Sequence, residues 1–315
     1  MRWLATLVLL IPLQAPAQYP SKALRMIIPF PPGGATDIIG RVVAQKMSER
    51  FAQPVVVENR PGAGGSIGTD LVAKAPADGY TLLISTNSTH AVAPVLSKPP
   101  YDPIKDFTPV TLLAHSANIL VVSPRLGVST VPELIAAAKA KPGALSFASS
   151  GNGTIIHLTG EMFKQMAGID LLHVPYKGTA LSVPDLASGR VSMLFDNIVS
   201  AQPQLRSGTV KALAVTTQKR SALMPDLPTM SEAGVPGFES SAWFALFGPA
   251  GLAPEVRGRI HEAALAALNA ADARERLVAA GAEPAGEDGE QLARLIRTDI
   301  TKWARVVKSG NIKAD

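Results

Sequence analysis

Four turns rich in glycine and small polar residues carry the groups that could hold a small anion. Each follows an apolar run typical of a buried strand, and two lead directly into a segment of helical period. Glycine lets a backbone approach a ligand closely, and the free N–H groups of a helix's first turn favour negative charge. The candidate ligand contacts in these turns, and in the loop after the strand at 80–85, are Pro32, Gly33, Gly34, Ala35, Thr36, Asp37, Asn87, Ser149, Gly151, Asn152, Gly153, Thr154, Lys177, Gly178, Thr179 and Asp196.

Some of these side chains have a second interpretation. Asp196 stands at a strand end and could read the far part of a ligand by accepting a hydrogen bond from an amine or hydroxyl. Lys177 could pair with a second carboxylate of that ligand. A capping aspartate and a solvated lysine are the alternatives, and helix capping is likewise the alternative for Thr36 and Asp37.

The sequence does not show a pattern that predicts catalysis, a metal or a nucleotide. There is no cysteine, and His157 and Glu161, four residues apart, lack an HExxH motif and a third ligand. The glycine-rich segment 62–68 lacks the Gly-Lys-Ser/Thr ending of a phosphate-binding loop. We therefore expect no catalytic residue, no metal and no cofactor. A hydrolase, which needs an activated nucleophile beside a base, is the competing class.

Alternating strand-like and helical segments must position these turns. Such alternation predicts an α/β architecture with mostly parallel sheets, in which ligands bind at the carboxyl ends of the strands. The predicted strands cover residues 24–30, 55–58, 80–85, 119–122, 145–148, 171–176, 191–195, 212–215 and 243–248. After Pro254 the chain reads as helical to 280 and again from 287 to 308.

Residues 1–17 resemble a signal peptide. Arg2 precedes an apolar run, and Ala15, Pro16 and Ala17 fit a cleavage site of small residues. We therefore expect an exported, periplasmic protein cleaved near Ala17, with enough chain for two domains. A formal charge of +5 with scattered basic residues and 5% aromatic residues does not predict a nucleic-acid partner.

Several segments resemble the Bug (TctC) family of substrate-binding proteins of tripartite tricarboxylate transporters. The resemblance covers essentially the whole mature chain and begins with Tyr19-Pro20. It continues with IPFPPGGATD at 28–37, VENRPGAGG at 57–65, DGYTLL at 78–83, GNG at 151–153, VPYKG at 174–178 and LPTMSEAG at 227–234.

The resemblance implies a periplasmic binding protein fold of type II, with two α/β lobes joined by a two-crossing hinge that close like a flytrap. The expected lobes are 18–117 with 241–315, and 118–240. In this family one carboxylate is typically held by backbone N–H groups of the two glycine-rich loops, which correspond here to 32–37 and 151–154. Paired helix N-termini can solvate an anion without a buried cation.

The implied function is capture of a small carboxylate and its delivery to a membrane transporter. The ligand would be a dicarboxylate, a tricarboxylate, an acidic amino acid or an aromatic acid, and the chain would be a monomer that works with the transporter's membrane subunits. A sensor that signals to a membrane receptor needs the same pocket, so the sequence leaves that alternative open.

Overall fold

Ten strands and ten α-helices, with a few short 3₁₀ and π segments, follow one another in a computed structural model that describes residues 19–313. The signal peptide predicted at 1–17 lies outside these residues. The strands are β1 (Leu24–Ile28), β2 (Val55–Asn59), β3 (Thr81–Thr86), β4 (Phe107–Val122), β5 (Ser146–Ser149), β6 (Leu172–Pro175), β7 (Met193–Asn197), β8 (Lys211–Val215), β9 (Ser241–Pro249) and β10 (Glu283–Pro284).

Helices occupy most of the connections between the strands. They are α1 (Ala35–Phe51), α2 (Ser66–Ala73), α3 (Ala93–Leu96), α4 (Val131–Ala140), α5 (Ile155–Ala167), α6 (Val183–Ser188), α7 (Ile198–Arg206), α8 (Pro254–Asn269), α9 (Ala271–Ala280) and α10 (Gly289–Ser309). Among residues 19–313, no helix has both the length and the apolar character needed to cross a membrane.

The strands form one curled sheet in the order β2-β1-β3-β9-β4-β7-β5-β6, and β8 and β10 also pair with β4. Parallel pairing joins β1 to β2 and β3, and β5 to β6 and β7. The other pairings between named strands of residues 19–313 are antiparallel and involve β4 or β9. The α/β prediction is confirmed, whereas the prediction of mostly parallel sheets is wrong because the strands that cross between the lobes run antiparallel.

Strand β4 belongs to both lobes. Up to Ala117 it pairs with β9, and from Asn118 onward it pairs with β7 and β8. The chain returns from the second lobe to the first beside this point of β4. The Ser240 N–H donates to Thr216 O (3.0 Å), and the next residue, Ser241, pairs with Ala117 of β4. These changes fall at the limits that the sequence suggests for the two lobes, and the limits themselves remain a prediction.

A buried hydrogen-bond network ties the two crossing strands together. Asn118 Nδ2 donates to Ser240 Oγ (3.2 Å), and Thr216 Oγ1 donates to the carbonyl oxygen of Asn118 (2.9 Å). Asn87 lies beside this network, where its Nδ2 donates to Ser241 O (2.9 Å). Because these groups are buried, each hydrogen bond they keep spares the cost of an unpaired polar group.

Each lobe buries its own apolar cluster. In the first lobe α1 and α8 cover the sheet, so that the helical repeat Ile39, Val43 and Met47 packs with Phe244 and Leu268. In the second lobe Phe147, Phe163, Phe195 and Phe238 form the centre of the core. The edge-to-face and stacked contacts among the last three rings lie at centroid separations of 5.6–6.3 Å, a favourable range for aromatic pairs.

Helix α10 spans the two lobes. It begins with a capping box between Asp288 and Gln291, and near its end Trp303 lies in the apolar cluster of the second lobe. Gln165 of α5 donates from its side chain to Ser309 O (3.2 Å). The sequence-based division assigns all of 241–315 to the first lobe, but the last turns of this helix contact the second.

Candidate functional site

A cavity of about 490 Å³, including space open to solvent, lies where loops from the two lobes meet. The wall combines apolar side chains, hydroxyl groups and backbone from six segments of the chain. The lining residues are Phe30, Pro31, Gly34, Ala35, Thr36, Thr86, Ser88, Ser150, Ile155, Ile156, Gly178, Thr179, Ala180, Asn197, Ala242 and Phe244.

The N-terminus of α1 opens into this cavity. Gly33 has a φ of 86°, a backbone conformation that favours glycine, and it turns the chain from β1 toward the helix. Gly34 is the N-cap and has no side chain to bond the first turn, so the helix start carries no side-chain cap. The N–H groups of Ala35 and Thr36, both in the cavity wall, are therefore left for a bound anion.

Asp37 holds this turn in place from behind the wall. Its carboxylate accepts hydrogen bonds from the Gly33 N–H (3.0 Å), from Asn59 Nδ2 (2.9 Å) and from the Arg41 guanidinium (3.0 Å). Burial alone would raise the pKa of Asp37, but these bonds outweigh burial and lower it, so the group is ionised at neutral pH. Its charge is already matched by Arg41.

The loop at 149–154 uses its polar groups within the protein. Thr154 caps α5 by accepting from the His157 N–H (3.3 Å), and His157 Nδ1 accepts from the Gly153 N–H (3.3 Å). The Ile155 N–H donates to Ser88 Oγ (3.1 Å). Burial lowers the pKa of His157 to about 3, so its ring stays neutral and keeps accepting. The first turn of α5 is thus largely occupied, unlike that of α1.

Asp196 lies behind the cavity wall and supports Thr179, which lines it. The Asp196 carboxylate accepts from Ser200 Oγ (2.6 Å) and from the Asn197 N–H (2.8 Å), and also from the Thr179 side chain. Burial raises the pKa of Asp196 to about 6, and the three hydrogen bonds offset only part of that shift. The geometry makes Asp196 a support for the wall and for the start of α7.

Asp196→Asn makes the free energy of unfolding less dependent on pH. A carboxyl whose folded pKa is raised contributes stability below its unfolded value, and that contribution is lost as pH rises through about 6. The native chain should lose about 2–3 kcal/mol from this group between about pH 4 and 7, and the variant should not. Urea unfolding of both proteins at the two pH values measures the difference. Equal pH slopes would contradict the assignment.

The alternation of side chains along β9 decides which of its residues face the cavity. Alternate residues of a strand point to opposite faces, so Ala242 and Phe244 line the cavity while Trp243 points away. The Trp243 indole N–H donates to Asp299 on α10 (2.7 Å). At the end of β3 Thr86 lines the cavity, followed by Ser88, while Asn87 bonds to the crossing strand instead.

The structure brings some of the predicted site residues into the cavity wall and places others nearby. Gly34, Ala35, Thr36, Gly178 and Thr179 line it. Lys177 is exposed and does not line the cavity. The other predicted residues outside the lining are Pro32, Gly33, Asp37, Asn87, Ser149, Gly151, Asn152, Gly153, Thr154 and Asp196. Their part in ligand binding remains a prediction.

Sequence reasoning missed several lining residues that neighbour the ones it named. Phe30 and Pro31 precede the first turn, Ile155 and Ile156 follow the second, and Ala180 follows the third. The signal for them is apolar character at a strand end or in the first helical turn. Ala242 could be found only from the register of β9.

Loops of the two lobes approach each other closely at two places beside the cavity. A Cβ added at Gly64 would lie 2.7 Å from Asn152 O, and one added at Gly178 would lie 2.7 Å from Pro31 Cδ. Only glycine permits backbones to come this near. The loop at 151–154 therefore contacts the first lobe, and the cavity lies behind it.

Contrary to the expectation that no pattern for catalysis is present, residues 64–68 match the Gly-x-Ser-x-Gly spacing of a hydrolase nucleophile, with Ser66 at its centre. In hydrolases that serine sits on a sharp turn between a strand and a helix. Here Ser66 follows a 3₁₀ turn at Ala63–Gly65 and begins α2, and its buried side chain bonds with Tyr101. The spacing therefore lacks the structural context of a nucleophile elbow.

A family model described as the tripartite tricarboxylate transporter family receptor matches residues 39–312. The chain belongs to this family. A Pseudomonas sp. relative, a UPF0065 protein in the tcbD-tcbE intergenic region, is 41% identical over 300 residues, covering 94% of this chain and 89% of that protein. BugT of Bordetella pertussis is 38% identical over 297 residues, covering 94% of this chain and 91% of BugT.

Solved structures of the receptor family share the fold. An R. palustris protein solved with adipate has a TM-score of 0.91 at 38% identity, covering 94% of this chain and 99% of that one. MatC from Rhodopseudomonas palustris with bound malate has a TM-score of 0.88 at 33% identity, covering 92% and 100%. The periplasmic binding protein BugD has a TM-score of 0.90 at 34% identity, covering 94% and 99%.

Family membership confirms three predictions made from the sequence. The resemblance to the Bug family is correct, the fold is that of a two-lobed periplasmic binding protein, and the chain is a substrate-binding protein and not an enzyme. The receptor family binds small carboxylates, as the structures with adipate and malate illustrate.

Proposed function

We propose that this chain is a periplasmic solute-binding protein that captures a small carboxylate between its lobes and delivers it to a tripartite tricarboxylate transporter. The observation that carries this proposal is the start of α1, which has no side-chain cap and whose residues Ala35 and Thr36 line the cavity between the lobes. Relatives solved with adipate and malate support a carboxylate as the anion.

A carboxylate fits this site without a buried cation. Among the lining residues there is no arginine, lysine or histidine. The positive end of the α1 dipole and the hydroxyl groups of Thr36, Thr86 and Ser88 can instead solvate the negative charge. A clamp of this kind suits a ligand that must be released again, because it avoids the strong pairing of a desolvated ion pair.

Thermal unfolding against a panel of acids and their matched amides tests the binding step. The protein is first unfolded and refolded to remove any ligand retained during purification. A true ligand at about a hundred times its dissociation constant adds about 2.7 kcal/mol of stability, which is several degrees for a chain of this length. If an acid stabilises the protein and its amide does not, the result supports the carboxylate clamp. Equal shifts for acid and amide contradict it.

Uptake by cells tests the delivery step. Deletion of the gene should abolish uptake of the acid found in the panel, and the exported protein should begin near Gln18 on N-terminal sequencing. Normal uptake with a lost transcriptional response would instead favour the sensor alternative. A protein retained with residues 1–17 in the cytoplasm would contradict the proposed location.

A further inference from the structure

The wall of the cavity carries no ionisable side chain among its lining residues in the described part of the chain. Its apolar groups are Phe30, Ile155, Ile156, Ala242 and Phe244, contributed by both lobes. Each of these residues is at most 8% exposed. A ligand that fills this space places much of its body against hydrocarbon.

Two hydroxyl groups of the wall, those of Thr86 and Ser88, can donate hydrogen bonds into the cavity. Ser88 Oγ accepts from the Ile155 N–H (3.1 Å), and Thr86 Oγ1 accepts from the Ser88 N–H (3.1 Å). Each hydroxyl thereby uses one of its two lone pairs within the protein, and its own hydrogen is left for the cavity. Donors of this kind suit a carboxylate, which only accepts. To an ammonium group they offer only the remaining lone pair of a neutral hydroxyl and no charged acceptor.

The two carboxylates nearest the wall are occupied elsewhere. Asp37 is matched by Arg41, Asn59 and the Gly33 N–H. Asp196 accepts from Ser200 Oγ and the Asn197 N–H. Neither side chain lines the cavity, so an amine or an added hydroxyl on the ligand body meets no charged acceptor there.

We propose that this site selects carboxylates whose body is an unsubstituted hydrocarbon, aliphatic or aromatic, over acids that carry an amine or a hydroxyl on that body. The inference rests on the proposed carboxylate-binding function and adds the class of ligand. The hydrocarbon body packs against the apolar wall, while the carboxylate takes the N–H groups of α1 and the hydroxyl donors. An added amine or hydroxyl on that body loses its water beside apolar side chains and meets no charged acceptor among the lining residues.

Calorimetric titration of the refolded protein with matched acids tests the selection. The sets are succinate, malate and aspartate; adipate, 2-hydroxyadipate and 2-aminoadipate; and benzoate with 4-hydroxybenzoate. Within a set that binds, the unsubstituted acid should bind at least about tenfold tighter than its hydroxy form and about a hundredfold tighter than its amino form. The set with the tightest member distinguishes an aliphatic from an aromatic body.

The possible outcomes separate this inference from the proposed function. A hydroxy or amino acid that binds as tightly as its parent overturns the inference and leaves carboxylate binding intact. If neither these acids nor any acid of the thermal panel binds, the proposed function fails, and the inference fails with it.

A pair of nearly isosteric variants tests the wall directly. Ile156→Thr and Ile156→Val remove similar volume, but only threonine offers a hydroxyl. The preference for the unsubstituted acid over its hydroxy form should fall at least about threefold in Ile156→Thr relative to Ile156→Val, because the ligand hydroxyl gains a partner. If both variants bind the acids with the same preference for the unsubstituted form, the result contradicts an apolar wall at this position.

Discussion

Gly178→Ala weakens ligand binding by about 5- to 150-fold and leaves the free protein folded. Gly178 has a φ of 165°, an extended conformation that alanine adopts without strain. The new Cβ would lie 2.7 Å from Cδ and 2.9 Å from Cγ of Pro31 in the closed arrangement. Overpacking of this kind costs about 1–3 kcal/mol, and the cost arises only when the two loops meet, so it reduces affinity. Calorimetric titration of the acid identified in the panel measures the effect.

Gly258→Ala is the matched control for this prediction. Gly258 lies in α8, and a Cβ there meets no heavy atom within 4 Å. The control should bind the ligand like the native chain and gain a few tenths to about 1 kcal/mol of stability, as expected for alanine in a helix. Unchanged affinity in Gly178→Ala would show that binding does not require the contact with Pro31. Small-angle scattering of the native chain should show compaction when the ligand is added, because the lobes close on it.

Trp303→Ala lowers the free energy of unfolding by about 3–5 kcal/mol. The side chain is 1% exposed and lies in the apolar cluster of the second lobe, although its helix begins against the first. Removing it leaves a large cavity where the surrounding core can collapse only in part. Urea unfolding followed by far-ultraviolet circular dichroism measures the loss.

Arg305→Ala serves as the control for Trp303, because Arg305 is an exposed residue on the same helix. Its substitution should change stability by no more than about 0.5 kcal/mol. A loss below about 1 kcal/mol in Trp303→Ala would mean that the end of α10 packs only loosely on the second lobe. The full loss would show that the C-terminal helix is part of that lobe's core, contrary to the lobe division based on the sequence.

The two helix starts at the cleft differ in what they offer a ligand. The sequence predicts a clamp of two similar glycine-rich loops, but of these two helix starts that of α5 has a side-chain cap and that of α1 has none. At α5 the cap by Thr154 and the bond from Ile155 to Ser88 occupy N–H groups that would otherwise face an anion. This difference supports a site with one strongly anion-binding end and a mostly apolar remainder.

Much of this protein could be predicted from local sequence. Strands predicted from apolar runs overlap β1 to β9, and the turn before α1 was identified because Gly33 and Gly34 follow a buried strand. Two features were hidden. The first part of β4 carries Pro109 and several polar residues, so it lacks a strand pattern, and it is a strand because β9 pairs along it. The break between α8 and α9 at Ala270 was read as continuous helix.

The amino-acid sequence by itself determined the family, the α/β alternation and the turns from which the cavity is built, because these depend on neighbouring residues. The tertiary structure decided which side chains face the ligand. Phe244 lines the cavity and Trp243 does not, since the register of β9 sets the direction of each. Asp196 supports the wall from behind because β7 pairs with β4, a contact between residues distant in the chain. Such long-range pairing leaves no trace in the local pattern from which a sequence is interpreted.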